Sequence, residues 1–272
     1  MSDIPQTAGA LFRAGKLAPA IDAANAAVRR HPGDLGARLL LAELLLFAGN
    51  LERADMILDA AAQADPKTAV VVAEFRQLLR AETARRQHRR EGRLPEFIGE
   101  PSEALRAALA ADVAWRAGDV EAAARHAAEV ETVRPRAAGT LGQQGSARPF
   151  DDFRDVDDCH AGFFEVLTTT GKYFWIATER VLSIEFHAPR RPRDLAWRRA
   201  TMSVADGPDG EVYLPAIYDA DDPNLADEFR LGRATDWAGD DSGPVRGIGG
   251  RVFLVGDDAL GIMELGMVRF GS

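Results

Sequence analysis

Ala14-Gly15-Lys16-Leu17-Ala18-Pro19-Ala20 and Ala48-Gly49-Asn50-Leu51-Glu52-Arg53-Ala54 carry one pattern at two places, with Gly15 and Gly49 standing 34 positions apart. The same offset links Ala27 to Ala61 and Pro32 to Pro66. A third copy runs from Ala117-Gly118 through Ala123 to Pro135, one position out of phase with three such periods. Each residue type has a physical reason to recur. Glycine suits a sharp turn between two helices because it accepts positive φ. Alanine at 20, 54 and 123 lets the second helix cross closely over the first. Proline ends the second helix by removing a backbone donor and crowding the preceding turn. Where the first two copies have Ala27 and Ala61 the third has Val130, so its packing is expected to be looser or shifted.

A 34-residue period with these residues is the mark of the tetratricopeptide helical hairpin. Such units stack into a solenoid whose inner surface holds other molecules. The expected fold class is therefore an N-terminal α-α superhelix over residues 1–137, a linker at 138–148, and a β-rich C-terminal domain over 149–272. Thr68 to about Arg93 reads as a longer helix, with Val71, Val72, Phe75, Leu78 and Leu79 at helical spacing and no glycine at the expected turn. Leu94-Pro95 is expected to end it. Pro101-Ser102-Glu103 opens the next helix, which hands over at Gly118 to a last one stopping before Pro135.

Beyond the glycine-rich stretch Ala137–Ala147 the alphabet changes to short β-branched and aromatic runs. These are Phe163–Leu167, Tyr173–Ala177, Val181–Phe186, Thr201–Val204, Glu211–Leu214, Val252–Val255 and Ile262–Phe270. They predict a small, strongly bent antiparallel sheet or barrel, with Asp209-Gly210 as a hairpin turn. Short helices are expected near Asp155–Cys159 and Leu225–Leu231.

Charge separates the halves. Residues 1–137 hold 19 basic and 19 acidic side chains, so the net charge of −9 belongs wholly to the second half. That argues against general nucleic-acid binding, which relies on neutralising phosphates. The basic clusters Arg85–Arg90 and Arg190–Arg193 are expected to be a solvated helix end and a charged loop. The start, Met1 to Pro5, shows no secretory pattern, and the run Leu39–Ala48 is interrupted by Glu43 and too short to cross a bilayer. Cys159 is the only cysteine, which fits a reducing, cytoplasmic compartment.

Chemistry is hard to assemble from the remaining residues. Asp151, Asp152, Asp155, Asp157 and Asp158 miss the calcium-loop pattern and read as helix-start acidity, and Asp219–Asp222 as a solvated loop. Cys159-His160 are sequence neighbours that rarely face each other. His31, His88, His126 and His187 lack zinc spacing. Gly243–Gly250 precedes a strand, whereas phosphate-cradling loops precede helices, and reads as a flexible loop. No cofactor, metal or catalytic set is expected. Two rival readings are an enzyme, a hydrolase or transferase, whose interdomain site joins Asp155, His160 and Arg180, and a regulator that binds an acidic partner through the arginine clusters.

In a tetratricopeptide array the first helix of each unit faces the inner groove. The expected groove residues are Phe12 and Arg13, then Leu39, Glu43, Leu46 and Phe47, then Leu105, Asp112, Trp115 and Arg116. This is an apolar trough with a few charges, suited to an amphipathic helix. The competing expectation is that these side chains pack on each other or on the second domain.

Longer blocks in the second half carry a resemblance. Pro149–Asp158, Thr170–Phe186, Arg193–Ala200, Glu211–Tyr218 and Gly232–Trp237 resemble the ImpE (TagJ) family, accessory proteins of bacterial type VI secretion. Trp175-Ile-Ala-Thr-Glu179 departs from the Trp-x-Pro-Phe-Glu often found there, and Leu141–Arg148 differs from the family's usual short segment. The resemblance implies a cytoplasmic, non-enzymatic adaptor without membrane insertion. Its implied partners are the N-terminal helix of the small sheath subunit and the ClpV disassembly ATPase. It carries no catalytic residues.

Overall fold

A computed structural model describes residues 7–64, 68–143, 146–219, 222, 224–239 and 243–271. Pro66, Gln144-Gly145 and Ala220-Asp221 of the sequence patterns lie outside them. The helices of the first half are α1 (Ala8–Arg13), α2 (Leu17–Arg30), α3 (Leu35–Phe47), α4 (Leu51–Ala64), α5 (Ala69–Glu91), α6 (Glu103–Arg116) and α7 (Val120–Val133). They form hairpins α1–α2, α3–α4 and α6–α7, with α5 unpaired between the second and third. Gly15, Gly49 and Gly118 turn each hairpin at φ +76°, so any residue with a Cβ would be strained there. Ala20, Ala54 and Ala123 are fully buried at the helix crossings. Val130 is equally buried. It faces Gly162 of the second half, so the larger side chain fills space that the first two repeats do not have.

α5 ends one turn earlier than Leu94-Pro95, at Gly92. That residue takes φ +78° and closes the helix with an N–H bond to the His88 carbonyl at 3.2 Å. The chain then runs extended: Glu96 N–H donates to the Tyr173 carbonyl at 2.9 Å, and Trp175 N–H to Glu96 at 3.0 Å. This single residue covers the edge of the sheet that follows, where unpaired backbone groups would otherwise be exposed.

The second half holds β1 (Gly139–Gln143), β2 (Ser146–Phe150), β3 (Phe153–Asp155), β4 (Phe163–Leu167), β5 (Tyr173–Ala177), β6 (Val181–Phe186), β7 (Trp197–Val204), β8 (Gly210–Pro215), α8 (Asp227–Arg230), β9 (Thr235–Ala238), β10 (Arg246–Gly249), β11 (Val252–Val255), β12 (Asp258–Gly261) and β13 (Met267–Phe270). Eight strands form an antiparallel sheet in the order β2-β1-β13-β6-β7-β8-β4-β5. β12-β11-β3 form a smaller sheet, and β10-β9 a ribbon.

Four expectations need correction here. The stretch 138–148 contains β1 and the start of β2, not only a linker: Gly139 and Gly142 pair with β13, and a Cβ at Gly139 would collide with the Arg269 carbonyl. The β7–β8 turn is made at Ala205-Asp206, with Asp206 at φ 53°, while Gly210 already belongs to β8. Gly243–Gly250 includes β10, held close against Tyr218 and Ala234. Ile262–Phe270 is strand only from Met267.

Alternation along β7 decides the layering. Trp197 points to the helices, meeting Phe75 of α5 edge-on at 6.0 Å. Ala200 and Met202 point to the other face, with Phe153, Phe164 and Phe253 in a separate apolar core. The first core runs unbroken from Phe12 and Leu44 through Phe75 to Phe163, Trp175 and Trp197. Repeats and sheet share it.

Candidate functional site

The concave face of the repeats is occupied by the second half of the chain. Phe12, Leu46, Phe47, Leu105, Glu43 and Asp112 are all buried, and Leu39 and Trp115 partly so. Arg233 lies over the Phe12 ring at 5.6 Å. Glu43 faces Arg193 of the 3-10 turn Pro192–Leu195, and burial, only partly offset by Arg193 and Arg191, pushes its carboxyl up to about 7. Arg246 stacks on Trp115 at 5.2 Å. Arg116 donates to the His88 carbonyl at 3.2 Å, and Arg13 is exposed, with its carbonyl held by Arg233. The expected open trough is thus closed along most of its length, because the apolar faces of these helices are buried against the sheet instead of a partner.

An ionic network crosses the seam. Glu165 lies in β4, a strand otherwise made of Phe, Val and Leu, and is fully buried. It accepts from Arg85 of α5 at 3.0 and 3.1 Å, from Tyr173 at 2.5 Å, and from Arg251. Trp175 Nε1 donates in turn to the Tyr173 hydroxyl at 2.5 Å. Burial works against the Glu165 anion, yet Arg85 and Arg251 hold its carboxyl well below the usual range. Arg251 also meets Asp155 at 3.2 Å, and Tyr218 donates to Asp155 at 2.6 Å. There burial wins, and the Asp155 carboxyl is raised.

A second knot joins α5 and α6 to β10. Asp112 meets His88 at 3.0 Å, Arg89 at 3.1 Å and Arg246 at 3.5 Å, and despite burial these cations and His88 hold it low. Arg246 reaches Asp157 at 3.0 Å, and Asp157 pairs with His160 at 3.0 Å. Burial and the adjacent Arg89 lower the His160 pKa, so the ring is a neutral link, accepting from Arg89 and donating to Asp157. Arg85, Arg89, Arg246 and Arg251 thus face Asp112, Asp155, Asp157 and Glu165 in balance.

These pairings reassign the sequence candidates. Arg85, Arg86 and Arg89 are spent on Glu165, Glu82 and Asp112, so the Arg85–Arg90 run is not simply a solvated helix end. In the other cluster Arg193 pairs with Glu74 at 2.7 Å, while Arg190 and Arg191 are exposed. The acidic run is shared out: Asp152 to Arg134 at 2.6 Å, Asp155 to Arg251, Asp157 to Arg246, and Asp158 to Arg154 at 2.6 Å. Asp157 does cap the 3-10 turn at Cys159. Cys159 is fully buried, and burial pushes its thiol up to about 12, the reverse of a reactive thiolate. Asp155 and His160 come together, but Arg180 lies apart, bonded to the Ala205 carbonyl at 3.0 Å. The trio proposed for catalysis is not assembled.

Sequence reasoning missed Glu165, Arg246 and Arg251. One signal was present: a glutamate inside Phe163-Phe-Glu-Val-Leu167 has to find a cation when the strand is buried on both faces. Among the described residues a cleft of about 530 Å³ stays open where the α3–α4 turn and α5 meet Ile217, Tyr218, Leu225 and Arg230, beside a wider one of about 700 Å³ between the start of α4 and α5. Leu46, Phe47, Trp197 and Leu225 line the first together with Arg86 and Asp222. Among the described residues no helix is long and apolar enough to cross a membrane.

Comparison with known proteins agrees with this architecture. Residues 11–79 match the tetratricopeptide repeat model, and residues 147–269 the model of the ImpE protein. The chain is 29% identical to the type VI secretion system accessory component TagJ of Pseudomonas aeruginosa over 98% of its own length and 92% of that protein. A crystal structure of a Vibrio parahaemolyticus protein superposes with a TM-score of 0.88 at 26% identity, covering 97% of both chains. The ImpE match covers Glu165, Arg246 and Arg251, and the likeness to TagJ extends through the repeats docked on that half: residues 147–269 carry an ImpE domain, and the chain as a whole is similar to TagJ.

Proposed function

We propose that this protein is an accessory component of a bacterial type VI secretion system, acting in the cytoplasm as a non-enzymatic adaptor. It binds the N-terminal amphipathic helix of the small sheath subunit and links it to the ClpV disassembly ATPase. The observation that carries this reading is the likeness to TagJ over 98% of the chain, repeats and sheet together. Two features support it. Buried Glu165 pairs with Arg85 and buried Asp112 with Arg246 across the seam, an arrangement that fixes two halves of a protein in place. Leu46 and Phe47, from the expected groove, line the 530 Å³ cleft described above together with the apolar Trp197 and Leu225; a helix laid in by its apolar face fits such a surface. Phe12, Leu105 and Asp112 are buried and Leu39 partly so, and all serve packing in place of partner contact.

Pull-down of the purified small sheath subunit tests it, using wild type, Phe47→Asp and Leu225→Asp. Capture by wild type and its loss in Leu225→Asp, with an unchanged melting curve, is the expected result. Undiminished capture by both variants would remove the cleft from the mechanism. No capture by wild type would remove the sheath subunit as partner.

A further inference from the structure

The three hairpins begin their second helices differently. After Gly49 stands Asn50, whose side chain accepts from Arg53 N–H at 3.2 Å. After Gly118 stands Asp119, which accepts from Ala122 N–H at 2.9 Å. After Gly15 stands Lys16, a donor only, with no capping bond. The position that would donate is Pro19, which has no N–H. α2 therefore has neither the acceptor nor the donor of the cap that α4 and α7 make for themselves.

The second half supplies the missing partners. Asp227 Oδ2 accepts from Leu17 N–H at 2.9 Å, across 210 positions of sequence. The end of α1 is served from the same place: Arg233 Nη1 donates to the Arg13 carbonyl at 3.0 Å and Nη2 to the Phe12 carbonyl at 2.6 Å. Both signs match the helix ends they serve, an anion at an N-terminus and a cation at a C-terminus. Asp227 and Arg233 flank one tight unit, α8 and its closing turn, in which Gly232 N–H donates to the Phe229 carbonyl at 2.9 Å. Leu225 and Arg230 of the same segment form a wall of the 530 Å³ cleft.

We propose that Asp227 and Arg233 form a latch that makes the order of the first hairpin conditional on docking of the second half. When it opens, α1–α2 frays first and Phe12 loses its cover. Phe12 packs on Phe47 at 5.3 Å, so the latch also sets the shape of the cleft. That last consequence, and only it, rests on the adaptor reading.

Hydrogen exchange of the full chain, read by mass spectrometry, tests the latch. Asp227→Ala with Arg233→Ala is expected to speed exchange of residues 8–30 about tenfold, in the range of a lost cap, and to leave α6–α7 unchanged. Adding Lys16→Asp and Pro19→Ala, which restores both acceptor and donor of a local cap, returns protection to the start of α2. Unchanged exchange at 8–30, acceleration spread equally through α6–α7, or failure of the added pair to restore protection would each overturn the latch. Capture of the sheath subunit is scored separately. Faster exchange without capture by any form keeps the latch and removes the adaptor reading, whereas unchanged exchange removes the latch whatever is captured.

Discussion

Two of the grips by which the second half holds the helical domain differ in kind. At α5 and α6 it uses ions at or near full burial: the buried carboxylates Glu165, Asp112 and Asp157 against buried Arg85 and Arg251 and the partly buried Arg89 and Arg246. At α1 and α2 it uses two side chains, Asp227 and Arg233, near the surface and bonded to backbone. Buried ions gain little net stability when complete but cost much when one partner goes, because the survivor is left desolvated and unpaired. Backbone caps are worth about 1 kcal/mol each and fail singly. The first grip is thus all-or-none and fixes register, whereas the second is graded and can let go locally.

The largest expected effect breaks the first grip. Glu165→Ala leaves Arg85 and Arg251 buried without their carboxylate and removes the acceptor of Tyr173. Unfolding by denaturant should show a loss of about 3–5 kcal/mol. A loss under 1 kcal/mol would mean that the network is dispensable for holding the halves together.

Glu43 sharpens the comparison because it is a buried acid on α3 with Arg193 near it and, among the described residues, no hydrogen bond to complete it. Its carboxyl, raised from 4.5 to about 7 by burial, binds a proton more readily in the native chain than in the unfolded one. Its favourable share of stability is therefore present below pH 4.5 and lost as pH rises to about 7. Glu43→Gln should raise stability at pH 8 by on the order of 3 kcal/mol and change little at pH 4. Parallel curves of stability against pH for variant and wild type would show that Glu43 does not titrate in this window.

Asp227→Ala should cost about 1 kcal/mol, with calorimetry registering a shift of a few degrees and exchange locating it in α1–α2. The smallest effect is expected outside both grips. Arg125→Ala breaks an exposed pair with Glu121 on α7 and should change stability by no more than about 0.5 kcal/mol. A larger change there would mean that surface pairs on α7 matter as much as the clamp on α2.

The repeat glycines, the crossing alanines and strands such as Phe163–Leu167 and Tyr173–Ala177 could be read from the chain because their causes are local: φ preference, side-chain size and alternation. β1, β9 and β12 could not. Gly139-Thr-Leu-Gly142 has little β propensity and becomes a strand only because β13 lies beside it, as the contact of Gly139 with the Arg269 carbonyl shows. The groove positions were legible as one face of α1, α3 and α6, but no local signal said what would cover them.

By itself, then, the sequence determined the helical pairs, the existence of a β-rich second half and the likeness to ImpE, since each depends on residues near one another or on long aromatic blocks. Only the tertiary structure decided that the second half closes the concave face, that the arginines of α5 serve Glu165, Glu82 and Asp112, and that α2 is capped from Asp227. Partners drawn from up to 221 positions away leave no periodic trace in the chain, because charge pairing and capping depend on distance in space and on burial, which only the folded whole defines.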